Sequence, residues 1–112
     1  MLAQANRLVS ADDYRAVLRR GSRRASGSTV VSVVRTPEGS PARFGFIVTR
    51  KVGNAVKRNR VRRRMKAIAW ELVNDGLTGT DVVIRALPAS VKADWVTLHS
   101  EITEALEWSR ST

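Results

Sequence analysis

Apolar residues recur at helical spacing in three stretches of the chain. The longest predicted helix covers about 55–74, with Asn54 as its N-cap and apolar positions three or four residues apart. These positions are Val61, Met65, Ile68 and Leu72. A shorter helix is predicted over 10–20, with an apolar patch of Tyr14, Val17 and Leu18, and an amphipathic helix over about 92–109. In the last helix, Trp95, Leu98, Ile102 and Ala105 form the apolar stripe, and Glu101, Glu104 and Glu107 are expected to face solvent.

Stretches rich in β-branched residues predict three strands, at 29–36, 42–50 and 81–87. Only the turn cluster PEGSP separates the first two, so we expect them to pair as an antiparallel hairpin. The connection between the second and third strands contains the long helix, and it is long enough for these two strands to run parallel. Residues 21–28 are turn-like and leave room for a short edge strand at most.

The order of elements is α, β, β, α, β, α, with room for one further short strand early in the chain. This order predicts one α+β domain over residues 1–112, a small two-layer sandwich of a sheet with helices packed on it. No apolar run approaches the ~20 residues of a membrane span, and the N-terminus is too short and polar for a signal peptide. Cysteine is absent, which excludes disulfides and thiolate metal sites. We therefore expect a cytoplasmic protein without a membrane partner.

The net positive charge comes from the first two-thirds of the chain. The formal net charge is +10, from 20 Lys and Arg against 10 Asp and Glu. Residues 14–70 carry 16 basic residues and one acid, whereas residues 71–112 carry seven acids and three basic residues. Such an asymmetry points to a polyanionic partner, either nucleic acid or an acidic membrane surface.

Residues 50–66, RKVGNAVKRNRVRRRMK, concentrate this charge on the longest predicted helix. Nine of these 17 residues are basic: Arg50, Lys51, Lys57, Arg58, Arg60, Arg62, Arg63, Arg64 and Lys66. With Val61 and Met65 on the buried side, the basic side chains occupy most of the remaining circumference. Like charges at i, i+4 destabilise an isolated helix by about a few tenths of a kcal/mol per pair, and a polyphosphate partner reverses that penalty. Arginine outnumbers lysine, which suits bidentate phosphate contacts.

A solvated charged face is the alternative interpretation of this segment, but nine basic residues without an acid favour a binding surface. Asn54 is expected to cap the helix, and Gly53 to serve as a turn residue, since no GxxxxGK[ST] motif is present. Asp12 and Asp13 suit the first turn of a helix, and His99, the single histidine, lies in the acidic helix. We therefore predict no catalytic residue and no metal site in this chain.

The segment FGFIVTRKVGNAVKRNRVRR, residues 44–63, resembles the signature of the bacterial ribonuclease P protein family. The triplet Arg58-Asn59-Arg60 is its most specific part, and Asn6-Arg7-Leu8 resembles the family's opening. The resemblance covers nearly the whole chain. It implies a four-stranded sheet with three helices, similar to the second domain of a small-subunit ribosomal protein, with a left-handed βαβ crossover.

The resemblance also implies a function and partners. Proteins of this family bind a large catalytic RNA that removes the 5′ leader of precursor tRNA by magnesium-dependent phosphodiester hydrolysis, so catalysis is expected to lie in the RNA. One monomeric protein per RNA is expected, with no cofactor bound by the protein alone. The residues that match the RNA-facing helix and the loop before it are Arg50, Lys51, Gly53, Asn54, Lys57, Arg58, Asn59, Arg60, Arg62, Arg63, Arg64 and Lys66.

The resemblance places the precursor leader in a cleft between the first helix and the sheet. The candidate cleft residues are Tyr14, Leu18, Phe44, Phe46 and Val48. Tyr14 matches an aromatic position of the family, whereas Leu18 stands where relatives often carry Phe. For Phe44 and Phe46, a place in the core is as well supported as a place in the cleft.

Two other functions fit part of the sequence. A structural RNA-binding protein of ribosomal type would explain the charge but not the triplet Arg58-Asn59-Arg60. A self-sufficient nuclease would need an active-site motif, and the sequence shows none.

Overall fold

Three helices and four strands follow one another in a computed structural model that describes residues 2–111. The helices are α1 (Ala11–Arg20), α2 (Ala55–Asn74) and α3 (Trp95–Ser111). The strands are β1 (Ser22–Ala25), β2 (Thr29–Arg35), β3 (Arg43–Ile47) and β4 (Thr80–Ala86). Two short 3-10 helices, Gln4–Asn6 and Pro88–Val91, precede α1 and α3. The short early strand that the sequence allowed is β1, so the predicted α+β architecture is confirmed.

Side-chain caps fix where each helix begins. Ser10 Oγ accepts a hydrogen bond from Asp13 N at 3.1 Å, and Asn54 Oδ1 accepts one from Lys57 N at 3.0 Å. The cap at Asn54 was predicted from the sequence. At α3 the cap is Asp94, whose Oδ1 accepts from Thr97 N at 2.8 Å.

The strand order in the sheet is β1-β2-β4-β3, and this order corrects one prediction. β2 and β3 do not form a hairpin, because β4 lies between them, antiparallel to β2 and parallel to β3. The physical reason lies in β4, where Val82, Val83 and Ile84 are all fully buried. A strand that is apolar on both faces belongs at the centre of a sheet. The parallel pairing across the long helix was predicted correctly.

Helices pack on both faces of the sheet. On one face, Val31, Val33, Phe44, Val82 and Ile84 form the main core with residues of α2 and α3. On the other face, Leu8, Val17 and Val83 form a smaller cluster, with Tyr14, Val34 and Ile47 packed against it. Tyr14 and Val17 belong to α1, so α1 covers the face opposite α2 and α3. This arrangement leaves the outer side of α2 uncovered.

The apolar stripes of the long helices largely match the prediction, with two exceptions in α3. Leu98, Ile102 and Ala105 are buried, but Trp95, at the first turn, is 39% exposed. The second exception is Glu101, which was expected to face solvent. Its Oε1 accepts hydrogen bonds from Ser28 N at 3.1 Å and from Thr29 Oγ1 at 2.8 Å. Glu101 therefore ties α3 to the turn between β1 and β2, a contact that the period of the helix alone does not reveal.

Candidate nucleic-acid interface

A tight turn presents the start of α2. Val52 N donates to Thr49 O at 3.0 Å and Gly53 N to Arg50 O at 3.2 Å, while the Val52 side chain is buried. Gly53 has a φ of +152°, and a Cβ there would lie 2.9 Å from Lys57 Cδ. The positive φ favours glycine, so Gly53 is a turn residue as predicted. The turn leaves the Arg50 and Lys51 side chains exposed beside the N-terminus of α2.

The nine basic residues of the segment surround α2 on the side away from the core. Val61 and Met65 are buried, as the periodicity predicted. Six of the basic side chains are exposed and three are partly buried. The exposed ones are Arg50, Lys51, Lys57, Arg60, Arg63 and Lys66, and the partly buried ones are Arg58, Arg62 and Arg64.

No carboxylate of the described chain forms an ion pair with this basic surface. Over residues 2–111, the ion pairs join Arg15 to Asp12, Arg43 to Asp13 and Asp81, and His99 to Glu71. None of these pairs includes a residue of the 50–66 segment. The positive charges of α2 therefore lie close together, and no described carboxylate is ion-paired with them.

Two arginines of the segment are oriented by neighbouring groups. Arg62 Nη1 donates to Asn59 Oδ1 at 3.1 Å, so Asn59 holds one guanidinium in place. Arg64 Nη1 donates to Ala93 O at 3.1 Å, which directs its side chain toward the start of α3. There, hydrogen bonds from Thr97 lower the pKa of Asp94 below its ordinary value, and the charge of Arg64 adds to this effect. Arg64 is thus engaged with α3, whereas Arg60 remains open to solvent.

A groove extends the basic surface along α2. Its volume is about 550 Å³, and it is lined by Leu2, Arg7, Asn59, Arg62, Arg63, Lys66, Ala67 and Trp70. A second cavity of about 230 Å³ shares Leu2, Arg7, Arg62 and Lys66 with it and reaches the edge of β3. Arg7 was noted from the sequence only as part of the family's opening, and Trp70 was not predicted as a site residue. The spacing of Trp70 from Arg63 and Lys66, at i+7 and i+4, was the available signal.

Three of the five predicted cleft residues, Tyr14, Phe44 and Phe46, line the second cavity together, whereas Leu18 and Val48 do not. Phe44 is 1% exposed and Val48 is also buried, so both belong to the core. Phe46 is partly buried, and its ring stacks on that of Phe44 with centroids 6.4 Å apart. Strand alternation turns all three toward α2 and α3, whereas Tyr14 and Leu18 belong to α1 on the other face. Leu18 is 47% exposed.

Tyr14 nevertheless contacts β3 closely. Its Oη accepts a hydrogen bond from Phe46 N at 3.1 Å, and a Cβ at Gly45 would lie 2.6 Å from its ring. The glycine inside β3 was the signal for this approach, since glycine in a strand often marks a close neighbour. Leu8 N donates to Phe44 O at 2.9 Å along the same edge, so the N-terminal segment and α1 together cover the edge of β3.

The remaining titratable candidates have structural partners. His99 Nε2 lies 3.3 Å from Glu71 Oε1, between α3 and α2. Asp12 pairs with Arg15 within α1, and Asp13 lies 3.7 Å from Arg43. In the part of the chain that the structure describes, no three His, Cys, Asp or Glu side chains cluster as metal ligands, and no helix is long and apolar enough to cross a bilayer.

Fold and site together define a small basic α+β protein that carries its positive charge outward on one helix. A family model described as Ribonuclease P matches residues 2–109. The ribonuclease P protein component of Clavibacter michiganensis is 48% identical over 95% of this chain and 94% of its own length. That of Beutenbergia cavernae is 43% identical over 95% of this chain and 89% of its own.

The chain therefore belongs to the ribonuclease P protein family, whose endoribonuclease acts in tRNA processing. Solved structures confirm the fold. The RNase P protein of Staphylococcus aureus superposes with a TM-score of 0.79 at 21% identity, covering 93% of this chain and 94% of that one. The protein from Thermotoga maritima gives a TM-score of 0.74 at 21% identity, covering 95% and 96%.

Proposed function

We propose that this protein binds the catalytic RNA of ribonuclease P through the outward side of α2 and the turn before it. In doing so it assists removal of the 5′ leader from precursor tRNA. The observation that carries the proposal is the charge of residues 50–66, where none of the nine cationic side chains forms an ion pair with a described carboxylate. Like charges along a helix weaken it unless an anion lies against them. A folded RNA supplies a dense array of phosphates.

The residues Arg58, Asn59 and Arg60 have different roles on this surface. Arg60 is fully available to a phosphate or a base edge, and Arg58 is partly buried beside it. Asn59 orients Arg62 through its side-chain oxygen, which preorganises a guanidinium for bidentate contact. The exposed cations at Arg50, Lys51 and Lys57 extend the surface past the N-terminus of α2, whose positive dipole end adds to the attraction for phosphate.

In this proposal, the chemistry of phosphodiester hydrolysis belongs to the RNA and its bound magnesium. The residues that the structure describes form no metal-ligand cluster, and we assign no catalytic residue to the chain. The protein acts as one monomer per RNA in the cytoplasm. Its contribution is to neutralise phosphate repulsion, so that the RNA folds and binds substrate at lower magnesium concentration.

The leader of precursor tRNA is proposed to bind the face of the sheet that carries α1. Leu18 is exposed there on α1. Val30 of β2 and Ile47 of β3 each pair with Arg85 of the central strand β4. The three residues therefore form one row, on the same face of the sheet as Val83. Val30 and Ile47 are partly buried and Arg85 is exposed. Apolar side chains beside a cation suit a single strand, whose bases and phosphates need different neighbours.

Reconstitution with the RNA subunit tests the proposed function. Addition of the protein should raise cleavage of precursor tRNA at low magnesium, and Arg58→Ala with Arg60→Ala should remove that gain. Arg35→Ala with Arg110→Ala is the matched control, because it removes two exposed cations outside the segment. No gain from the wild-type protein would contradict the proposal. Ribosomal RNA as the main RNA recovered with the protein from cells would instead favour a structural RNA-binding role.

A further inference from the structure

We infer that Trp70 and the groove before it bind an unpaired nucleotide of an RNA, with the base stacked on the indole and the backbone held by the groove's cations. This inference rests on the proposed function, because it takes RNA as the partner. It extends the surface from Asn59 of the Arg58-Asn59-Arg60 triplet toward the C-terminal end of the same helix.

The groove follows one stripe of α2. Its residues lie at i, i+3, i+4, i+7, i+8 and i+11 along the helix: Asn59, Arg62, Arg63, Lys66, Ala67 and Trp70. At 1.5 Å per residue, the stripe is about 16 Å long. Leu2 and Arg7, from the N-terminal segment, form the opposite wall. The groove of about 550 Å³ thus has a basic end and an aromatic end.

Trp70 is not needed to fill the core. Val61, Met65 and Ile68 are at most 1% exposed and occupy the buried side of α2, whereas Trp70 is 44% exposed. Ala67, the smallest side chain of the stripe, lies between Trp70 and Arg63, so no bulky side chain of the stripe separates them. Proteins that bind single-stranded nucleic acids present exposed aromatic side chains beside cations, and the bases stack on these aromatic side chains.

The charge of the groove specifies an anionic occupant. Among the residues that the structure describes, its lining includes Arg7, Arg62, Arg63 and Lys66, and no carboxylate. Arg7 is anchored to Leu2 O by two hydrogen bonds of 3.0 Å and 2.6 Å, and Arg62 is anchored to Asn59. Each guanidinium keeps further N–H donors free for phosphate, since arginine has five. Anchored arginines lose little side-chain entropy on binding, which suits a site that holds one segment of backbone.

A titration followed by the fluorescence of Trp70 tests the inference on the full chain. Trp95→Phe and Trp108→Phe leave Trp70 as the single tryptophan. The probes are a short single-stranded RNA, a duplex RNA of the same length and poly-glutamate. We expect the single strand to quench Trp70 and the other two to leave its emission nearly unchanged. Quenching by poly-glutamate but not by RNA would overturn the inference and assign the groove to a protein.

Affinity measurements with the otherwise wild-type protein provide the second readout. Trp70→Ala should weaken binding of the single-stranded probe by roughly 5- to 100-fold, the range for loss of one stacked base, and Trp70→Phe should recover most of it. Trp95→Ala is the matched control, since Trp95 is an exposed tryptophan on α3. Thermal unfolding of each variant verifies that it is folded.

Two further outcomes separate this inference from the proposed function. If Trp70→Ala binds RNA like the wild type while Arg58→Ala with Arg60→Ala does not, the groove inference fails and the proposed function stands. If the wild-type protein binds no RNA, both fail. In the reconstituted complex, quenching by the RNA subunit alone assigns the nucleotide to that RNA, and quenching only after precursor tRNA is added assigns it to the substrate.

Discussion

The phenol oxygen of Tyr14 accepts a hydrogen bond from the backbone N–H of Phe46 at 3.1 Å, which joins α1 to the edge strand β3. The same ring lies where a Cβ of residue 45 would be, so the contact depends on Gly45. A side-chain acceptor on a free strand edge both satisfies a backbone donor and blocks edge-to-edge association. Tyr14 therefore stabilises the position of α1 on the sheet.

Tyr14→Phe should lower the free energy of unfolding by about 1 kcal/mol, because it removes one hydrogen bond and keeps the ring. Gly45→Ala should cost about 1–3 kcal/mol, since its Cβ overlaps the ring. In a Tyr14→Ala background, the cost of Gly45→Ala should fall sharply. Urea unfolding of the four proteins of this cycle measures the coupling. Equal costs in both backgrounds would show that Gly45 does not act through Tyr14.

Arg58→Ala with Arg60→Ala should weaken binding of the RNA subunit roughly tenfold or more, because charged hydrogen bonds to phosphate are lost. The slope of log affinity against log salt should also decrease by about 1.4–1.8, as expected for two phosphate contacts. Stability should be unchanged or slightly higher, since repulsion on α2 is relieved. Filter binding across a salt series and thermal unfolding verify both points. An unfolded double variant would show that this side of α2 is not free.

Glu101→Ala should destabilise the protein by about 1–3 kcal/mol, because the buried Ser28 N–H and Thr29 hydroxyl lose their acceptor. Glu104→Ala is the matched control: it removes an exposed glutamate from the same helix and should change stability by less than about 0.5 kcal/mol. Urea unfolding compares the two. Equal effects would mean that Glu101 acts only through the net charge.

Asp94 should make stability depend on acidic pH. Its pKa lies below the ordinary value of 3.8 in the folded protein, chiefly because Thr97 donates hydrogen bonds to it. The unfolded chain therefore binds a proton at Asp94 more readily than the folded chain does. The contribution of the Asp94 carboxylate to stability is complete at pH values above 3.8, the ordinary pKa, and is lost as pH falls through the folded pKa. Asn caps a helix as well as Asp but does not titrate. Asp94→Asn should therefore lose less stability than the wild type between about pH 5 and pH 2 in urea unfolding. The same loss in both proteins would rule out Asp94 as the source.

The sequence predicted elements well where one local period decides them. The stripe of Val61, Met65 and Ile68 and the cap at Asn54 depend on neighbours within a few residues, and all appear as expected. The strand order was not accessible in this way. A short turn favoured pairing of the second strand with the third, but the two-sided burial of β4 outweighs that local preference.

Long-range contacts account for the other differences between the sequence predictions and the structure. Glu101 meets Thr29 across 72 residues, and no periodic pattern encodes such a pair. Strand alternation places Phe44 and Phe46 on one face of β3, but it does not determine which helix covers that face. That choice follows from the contact between Tyr14 and Gly45, which requires both elements to be placed in space.

The basic helix is also the covalent link between β3 and β4, which pair in parallel. A parallel pair cannot close until the segment that connects it has folded back over the sheet. Any polyanion that binds only the folded α2 consequently shifts the folding equilibrium of the whole domain toward the native state, by linkage. The midpoint of thermal unfolding of this protein should therefore rise as the concentration of its RNA rises.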